Sequence, residues 1–159
     1  MNPDDARALR TLLETRPVAT LATLHNGDPA ASMVPFAMLP GGTRVVVHVS
    51  RLATHTKDML AHPAVALLVT ASLEPGASPL ALPRASVQGH AHVCEPETAE
   101  YAPAREAYLA KLPQAEPLFS FADFSLFVVD IRSVRHVAGF GRALSVTASQ
   151  LAAVMTATP

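Results

Sequence analysis

Two segments that alternate in polarity, Val18 to His25 and Ala30 to Leu39, flank the tetrapeptide Asn26-Gly27-Asp28-Pro29. Gly27 adopts positive φ without strain and Asn26 tolerates it, so the tetrapeptide predicts a tight turn. The flanking segments then become the arms of an antiparallel hairpin. Pro35 has no backbone N–H, so the second arm must bend, bulge or lie at a sheet edge there.

Further strands follow. Pro40-Gly41-Gly42 predicts a second turn, and Arg44 to Val49 a third strand, with Val45, Val47 and Val49 on one face and Arg44, Val46 and His48 on the other. Val65 to Thr70 is apolar on both faces and reads as a central strand. Arg84 to Val93 alternates cleanly, and Phe124 to Val134 is the last long strand. Between them the pattern predicts helices over residues 4–16, 53–61, 96–112 (with Pro103 as a break or kink) and 147–155. Leu73 to Pro83, with three prolines, and Pro113 to Ala122 read as irregular connections, and Gly139-Phe140-Gly141-Arg142 as a turn. Six strands in sequential hairpins with inserted helices predict an α+β domain whose sheet closes into a barrel. Residues 1–159 form one domain's worth of chain.

One strand-to-helix junction carries chemistry. Ser50-Arg51-Leu52-Ala53-Thr54-His55-Thr56-Lys57 places an arginine, hydroxyls and a lysine where a β-branched run hands over to a helix start. Unpaired N–H groups and the positive end of the helix dipole gather there, so an anion such as a phosphate is the natural occupant. Arg51 offers a planar fork and Lys57 a point charge. The alternative is an ordinary solvated helix start that carries two cations.

Composition narrows the classes. Twelve basic side chains balance thirteen acidic ones and there is no Trp, which argues against a nucleic-acid module. No segment is long and apolar enough to span a bilayer, and residues 1–15 lack the pattern of a signal peptide, so the expectation is a cytoplasmic chain away from membranes. Cys94 is the single cysteine, which excludes an internal disulfide and fits a small buried residue. His90-Ala91-His92 puts two imidazoles on one strand face without a carboxylate at a diagnostic interval, so no metal site is assigned.

The order of these signals resembles the FMN-binding split β-barrel family, relatives of pyridoxamine 5′-phosphate oxidase. The resemblance is carried by Val18 to Thr23, Asn26 to Pro29, Ser32 to Phe36, Ser50 to Lys57, Pro83 to Gly89 and Val137 to Ala143, the last similar to the haem-utilisation branch. Together they span most of Thr15 to Ala143. It implies a six-stranded antiparallel split barrel with peripheral helices, a homodimer, and two FMN sites between subunits. Ser50, Arg51, Thr56 and Lys57 would hold the phosphate, with Leu52 and His55 lining the same pocket. Met33, Val34 and Pro35 would give main-chain contacts to the ring, and Arg84 and Gln88 polar groups toward the cofactor. The implied activity is oxidoreduction of an unknown small molecule, with no catalytic acid or base that can be named. A deazaflavin, a haem site drawing on His55, His62, His90 or His136, and a non-catalytic module are the alternatives. The chain lacks the oxidase's Trp-containing C-terminal segment, which argues against synthesis of pyridoxal phosphate, and Asp58 stands where the haem branch usually has Asn.

Overall fold

A computed structural model describes residues 1–157. Its elements are α1 (Pro3–Thr15), β1 (Val18–His25), β2 (Asp28–Pro35), β3 (Ala37–Met38), β4 (Arg44–Ser50), α2 (Thr54–Ala61), β5 (Ala64–Thr70), β6 (Arg84–Cys94), α3 (Tyr101–Lys111), β7 (Phe124–Gly139), β8 (Arg142–Thr147) and α4 (Ala148–Thr156). The fold is the expected α+β antiparallel barrel with peripheral helices.

The hairpin forms as its turn requires. Asn26 and Gly27 take φ of 53° and 87°, the paired left-handed geometry of a two-residue hairpin turn. The arms pair without a slip from His25 opposite Asp28 to Val18 opposite Pro35. Neighbouring strands run β2-β1-β5-β6-β7-β4-β3, with β8 pairing onto β7. The two ends of that path, β2 and β3, are separated in the chain by Phe36 alone. The sheet therefore has to curl until its edges meet, which makes a barrel.

The strand count is eight rather than six. The expected second arm, Ala30 to Leu39, divides at Pro35 and Phe36 into β2 and β3, because Pro35 cannot continue the ladder. The Gly139–Arg142 turn is real, but the chain returns from it as β8, a strand that the sequence pattern does not predict. The helix expected over 96–112 starts only at Tyr101, which puts Pro103 in the first turn where its missing N–H costs nothing. Residues 113–120 wind into a 3₁₀ helix instead of an irregular connection.

Two cores result. Inside the barrel, Val45, Val47 and Val49 meet Leu21, Leu67, Val87, Phe127 and Val129, with Leu9 and Leu13 of α1 fully buried beside them. Each of those two leucines contributes roughly 2–3 kcal/mol by leaving water. The opposite face of β4 and β7 carries Val46, Leu126 and Val128, which α3 covers with Ala104 and Tyr108. Buried Cys94 belongs to this second core, and burial pushes its thiol up to about 11. His48 also faces α3. Its ring stacks on Phe119 at 3.9 Å between centroids, and Tyr108 meets its edge at 5.8 Å.

Gly89 lies where β7 carries one extra residue against β6. A Cβ there would stand 2.4 Å from the Asp130 carbonyl oxygen and 2.7 Å from a Val129 methyl. Gly89→Ala should therefore cost about 1–3 kcal/mol, as overpacking does, read as a lower urea midpoint; an unchanged midpoint would show that the two strands can part freely. Burial, assisted by the Arg105 charge, pushes the His48 imidazole down to about 4. The unfolded chain takes up that proton near pH 6.5, so folding stability falls as pH drops from 6.5 and the loss is complete below about 4. The whole interval corresponds to about 3 kcal/mol. His48→Phe should flatten the stability profile between those limits, and an equally steep profile in the variant would exclude His48 as its source.

Candidate functional site

The Ser50–Lys57 junction is a built corner. Arg51 N–H donates to the Asp123 carbonyl at 2.6 Å, and Ser50 Oγ donates to the Asp123 carboxylate at 2.7 Å while accepting from the Leu52 amide at 3.1 Å. Thr56, with no exposed surface, donates its hydroxyl to the Ser50 carbonyl at 2.7 Å. Both hydroxyl protons are thus used inside the chain. Ser50 and Thr56 shape the corner, and what faces outward is different.

Helix α2 begins at Ala53 without a side-chain cap. The Thr56 and Lys57 amides both turn back to the Ala53 carbonyl, and the amides of Thr54 and His55 have no carbonyl partner. Arg51 is exposed, its Nε held on Ser125 Oγ at 2.7 Å, which aims the fork and leaves its terminal nitrogens open. Lys57 is exposed and makes no ion pair among the described residues. Two open amides, an exposed guanidinium and an exposed ammonium thus fall within one short stretch of chain, donor chemistry of the kind that suits a carboxylate or phosphate. Leu52 beside them is 75% exposed. His55 is half-buried, and burial lowers its pKa against the opposing pull of Asp58.

The remaining expected residues lie on strands. β2 pairs only with β1, so its outer edge offers unpaired main-chain groups at Met33 to Pro35. Met33 is 65% exposed, whereas the Val34 side chain is buried in the barrel. Gln88 accepts from Ser133 Oγ at 3.1 Å and lines an open groove of about 450 Å³ with Ala22, Leu24, Ala64, Ala66 and His90. None of Ser50–Lys57 lines that groove. Arg84 stands four residues from Gln88, roughly 13 Å along the strand, its guanidinium turned onto the carbonyls of Leu80 and Leu82. A single chain thus brings the junction residues together and leaves Arg84 and Gln88 apart from them.

One arrangement had no sequence signal. His25 Nδ1 lies 2.8 Å from Asp58 Oδ1, and Thr23 Oγ1 donates to Asp58 Oδ2 at 2.9 Å. Asp58 is buried, and the His25 hydrogen bond lowers its pKa most, with Thr23 adding to the shift. The pair joins the end of β1 to α2 across 33 positions of sequence. Only the neighbouring turn was legible. At the far end of the chain, Arg142 is spent on Asp5 of α1, a structural pairing. His136, one of the histidines considered for haem, has no exposed surface and turns Nδ1 to the Arg84 carbonyl, so it cannot reach a ligand.

An antiparallel split barrel with open amides and two exposed cations at the β4–α2 corner is the class this geometry defines. The pyridoxamine 5′-phosphate oxidase family matches residues 6–138, and the chain belongs to that family. It is 35% identical over 126 residues to the chloroplastic non-canonical heme oxygenase HOZ of Arabidopsis thaliana, which covers 79% of this chain and 37% of the relative. A heme binding protein from Mycobacterium smegmatis superposes with a TM-score of 0.84 at 35% identity, covering 96% of this chain and 62% of that one. Campylobacter jejuni ChuZ shares the fold with a TM-score of 0.80 at 18% identity, over 92% and 61% of the two chains. The chain thus spans less than two thirds of the length of each. No helix among the described residues is long and apolar enough to cross a membrane.

Proposed function

We propose that this chain is a haem-binding protein that grips a haem propionate at the β4–α2 corner and works in haem handling or breakdown. The observation that carries the reading is the 35% identity, over nearly the whole chain, to a heme binding protein of the same fold. The plant relative, a heme oxygenase by name, supports the same direction. The residues present fit the group. A propionate is a carboxylate, which the free Thr54 and His55 amides, Arg51 and Lys57 can hold with charge-assisted hydrogen bonds. Exposed Leu52 and Met33 offer apolar surface to a flat macrocycle. When bound, haem supplies a redox-active iron; the chain supplies position, polarity and shielding from water.

FMN is the second reading. A specific observation favours it: the same corner that suits a propionate suits a phosphate, and the free edge of β2 offers main-chain groups to a ring at Met33 to Pro35. A deazaflavin would use the same handle. The two cofactors are separated by titration of the purified protein. Hemin should give a saturable Soret band, with FMN fluorescence left unquenched. Quenching of FMN with no specific hemin spectrum would reverse the assignment. Arg51→Ala with Lys57→Ala should weaken the bound group at least tenfold; unchanged affinity would place the anionic group elsewhere.

A homodimer belongs to this reading. The outer face of β1 and β5 exposes Val18, Ala22, Leu24, Ala64 and Leu68 as a flat apolar field, and the groove with Gln88 and His90 opens on it. Fields of this kind on soluble chains are usually covered. The occupant proposed is a second copy, which would also bring Arg84 and Gln88 to a site they do not reach within one chain. Light scattering should give twice the chain mass, and Leu68→Arg should shift it to the monomer. A monomeric wild type would remove the dimer from the proposal.

A further inference from the structure

We propose that Lys111 is a covalent site for a small apolar aldehyde, which its amine captures as an imine in the groove between α3, α1 and the β3–β4 turn. The groove holds about 480 Å³ and shares no residue with the β4–α2 corner, so the inference stands apart from the haem reading. Met38, Leu39, Ala107, Ala110 and Met155 form its walls, and its charged lining residues are Lys111 and Glu14. A space of this size and lining suits a small ligand. The Pro40–Gly42 turn that closes one side rests on α4, so near that a Cβ on Gly42 would run into the Met155 side chain.

The choice of side chain carries the argument. Of the twelve basic side chains only two are lysines, Lys57 and Lys111. An arginine could also donate to the Leu13 carbonyl and lie on the Phe36 ring, but it cannot lose its proton. A lysine can, and a neutral amine is a nucleophile. Lys111 is half-buried, with Nζ 3.0 Å from the Leu13 carbonyl oxygen and 3.7 Å from the centre of the Phe36 ring. Neither neighbour is a donor to nitrogen. Once a proton leaves, one N–H keeps the carbonyl contact and the lone pair stays uncommitted. Burial eases that loss, pushing the ammonium down to about 8 against the pull of Glu14. At pH 7 roughly one amine in ten is then neutral, whereas an ordinary lysine leaves about one in a few thousand. Arg10 of α1 sits on Glu14 at 2.8 Å, and the β3–β4 turn and α4 bring no charged residue to the groove.

The step needs no oxidant or reductant. The Nζ lone pair adds to the aldehyde carbon, and the carbonyl oxygen takes up a proton to give a carbinolamine. Nitrogen then gives up its remaining proton, the hydroxyl leaves as water, and a carbon–nitrogen double bond forms. Amine and aldehyde thus become imine and water. Glu14 lines the same groove and is the group that can carry the proton from nitrogen to the departing oxygen, directly or through one water. Its charge and the apolar walls favour an uncharged aldehyde over an anionic one.

The test treats the full chain with benzaldehyde and cyanoborohydride, which fixes any imine as a secondary amine, and maps the adducts by peptide mass spectrometry. Lys57, exposed on α2, is the internal reference. At pH 7 Lys111 should be labelled at least tenfold faster than Lys57. Its rate should level off above a midpoint near pH 8, while that of Lys57 keeps climbing. Glyoxylate, which carries a carboxylate, should label Lys111 more slowly than benzaldehyde does. Lys111→Arg should keep the melting temperature within a few degrees and leave no adduct at this position. Equal or faster labelling of Lys57, or a Lys111 adduct that forms only in denaturant, overturns the site; faster labelling by glyoxylate overturns the ligand class. Nitrogen-15 titration of the untreated chain adds a check that needs no variant: an Nζ midpoint at or above 10 for Lys111 overturns the premise.

Discussion

Barrel closure hangs on one buried residue, Phe36. It is the only link between β2 and β3, which are the two ends of the strand path, and its N–H donates to the Pro17 carbonyl at 3.2 Å. The ring is 1% exposed and takes the Lys111 ammonium on its face at 3.7 Å. Lys111 also donates to the Leu13 carbonyl at 3.0 Å, so one side chain of α3 fastens the closing residue and the C-terminal end of α1 together. Burial pushes that ammonium down to about 8, against the pull of Glu14. Charge is therefore held at a desolvation cost where the sheet edges meet, offset by a π-face and a helix carbonyl. With the edges joined there, β1 and β5 are left with an open outer face, and α2 is left to pack across the hairpin end.

How far the sequence predicts this arrangement depends on how local each signal is. The β1–β2 hairpin is legible to the residue because Asn26-Gly27 admits one turn geometry and one register. The faces of β4 follow from period two, and both prove buried because α3 covers the side that Arg44, Val46 and His48 share. β3 is too short to carry a period, only two residues after a proline. β8 has one buried residue, Val146, so its alternation is faint, and Thr147 at its end reads more strongly as a helix cap. The Pro103 kink fails to appear because proline is harmless in a first helical turn.

The site divides along the same line. Ser50 to Lys57 is contiguous, so its cations and its helix start are visible in order, although sequence could not tell which hydroxyls are consumed internally by Asp123 and the Ser50 carbonyl. His25 and Asp58 meet only through packing of α2 on β1. Taken from sequence alone, Asp58 beside Lys57 looks like an acid that weakens a positive patch.

Helix geometry corrects that view. Consecutive residues on a helix point about 100° apart, and here Lys57 is exposed while Asp58 is buried against β1. The carboxylate is shared between the His25 ring and the Thr23 hydroxyl, and those hydrogen bonds, His25's first, stabilise its charge and lower its pKa, while Lys57 makes no ion pair with it. Both cations of the corner stay open, and the acid acts at the other flank, where it holds the His25 ring in place. A short helix of eight residues can thus hold an anion at its first turn and orient a ring nitrogen from its second. The residue that looks least favourable for an anion site is the one that ties α2 to the end of β1.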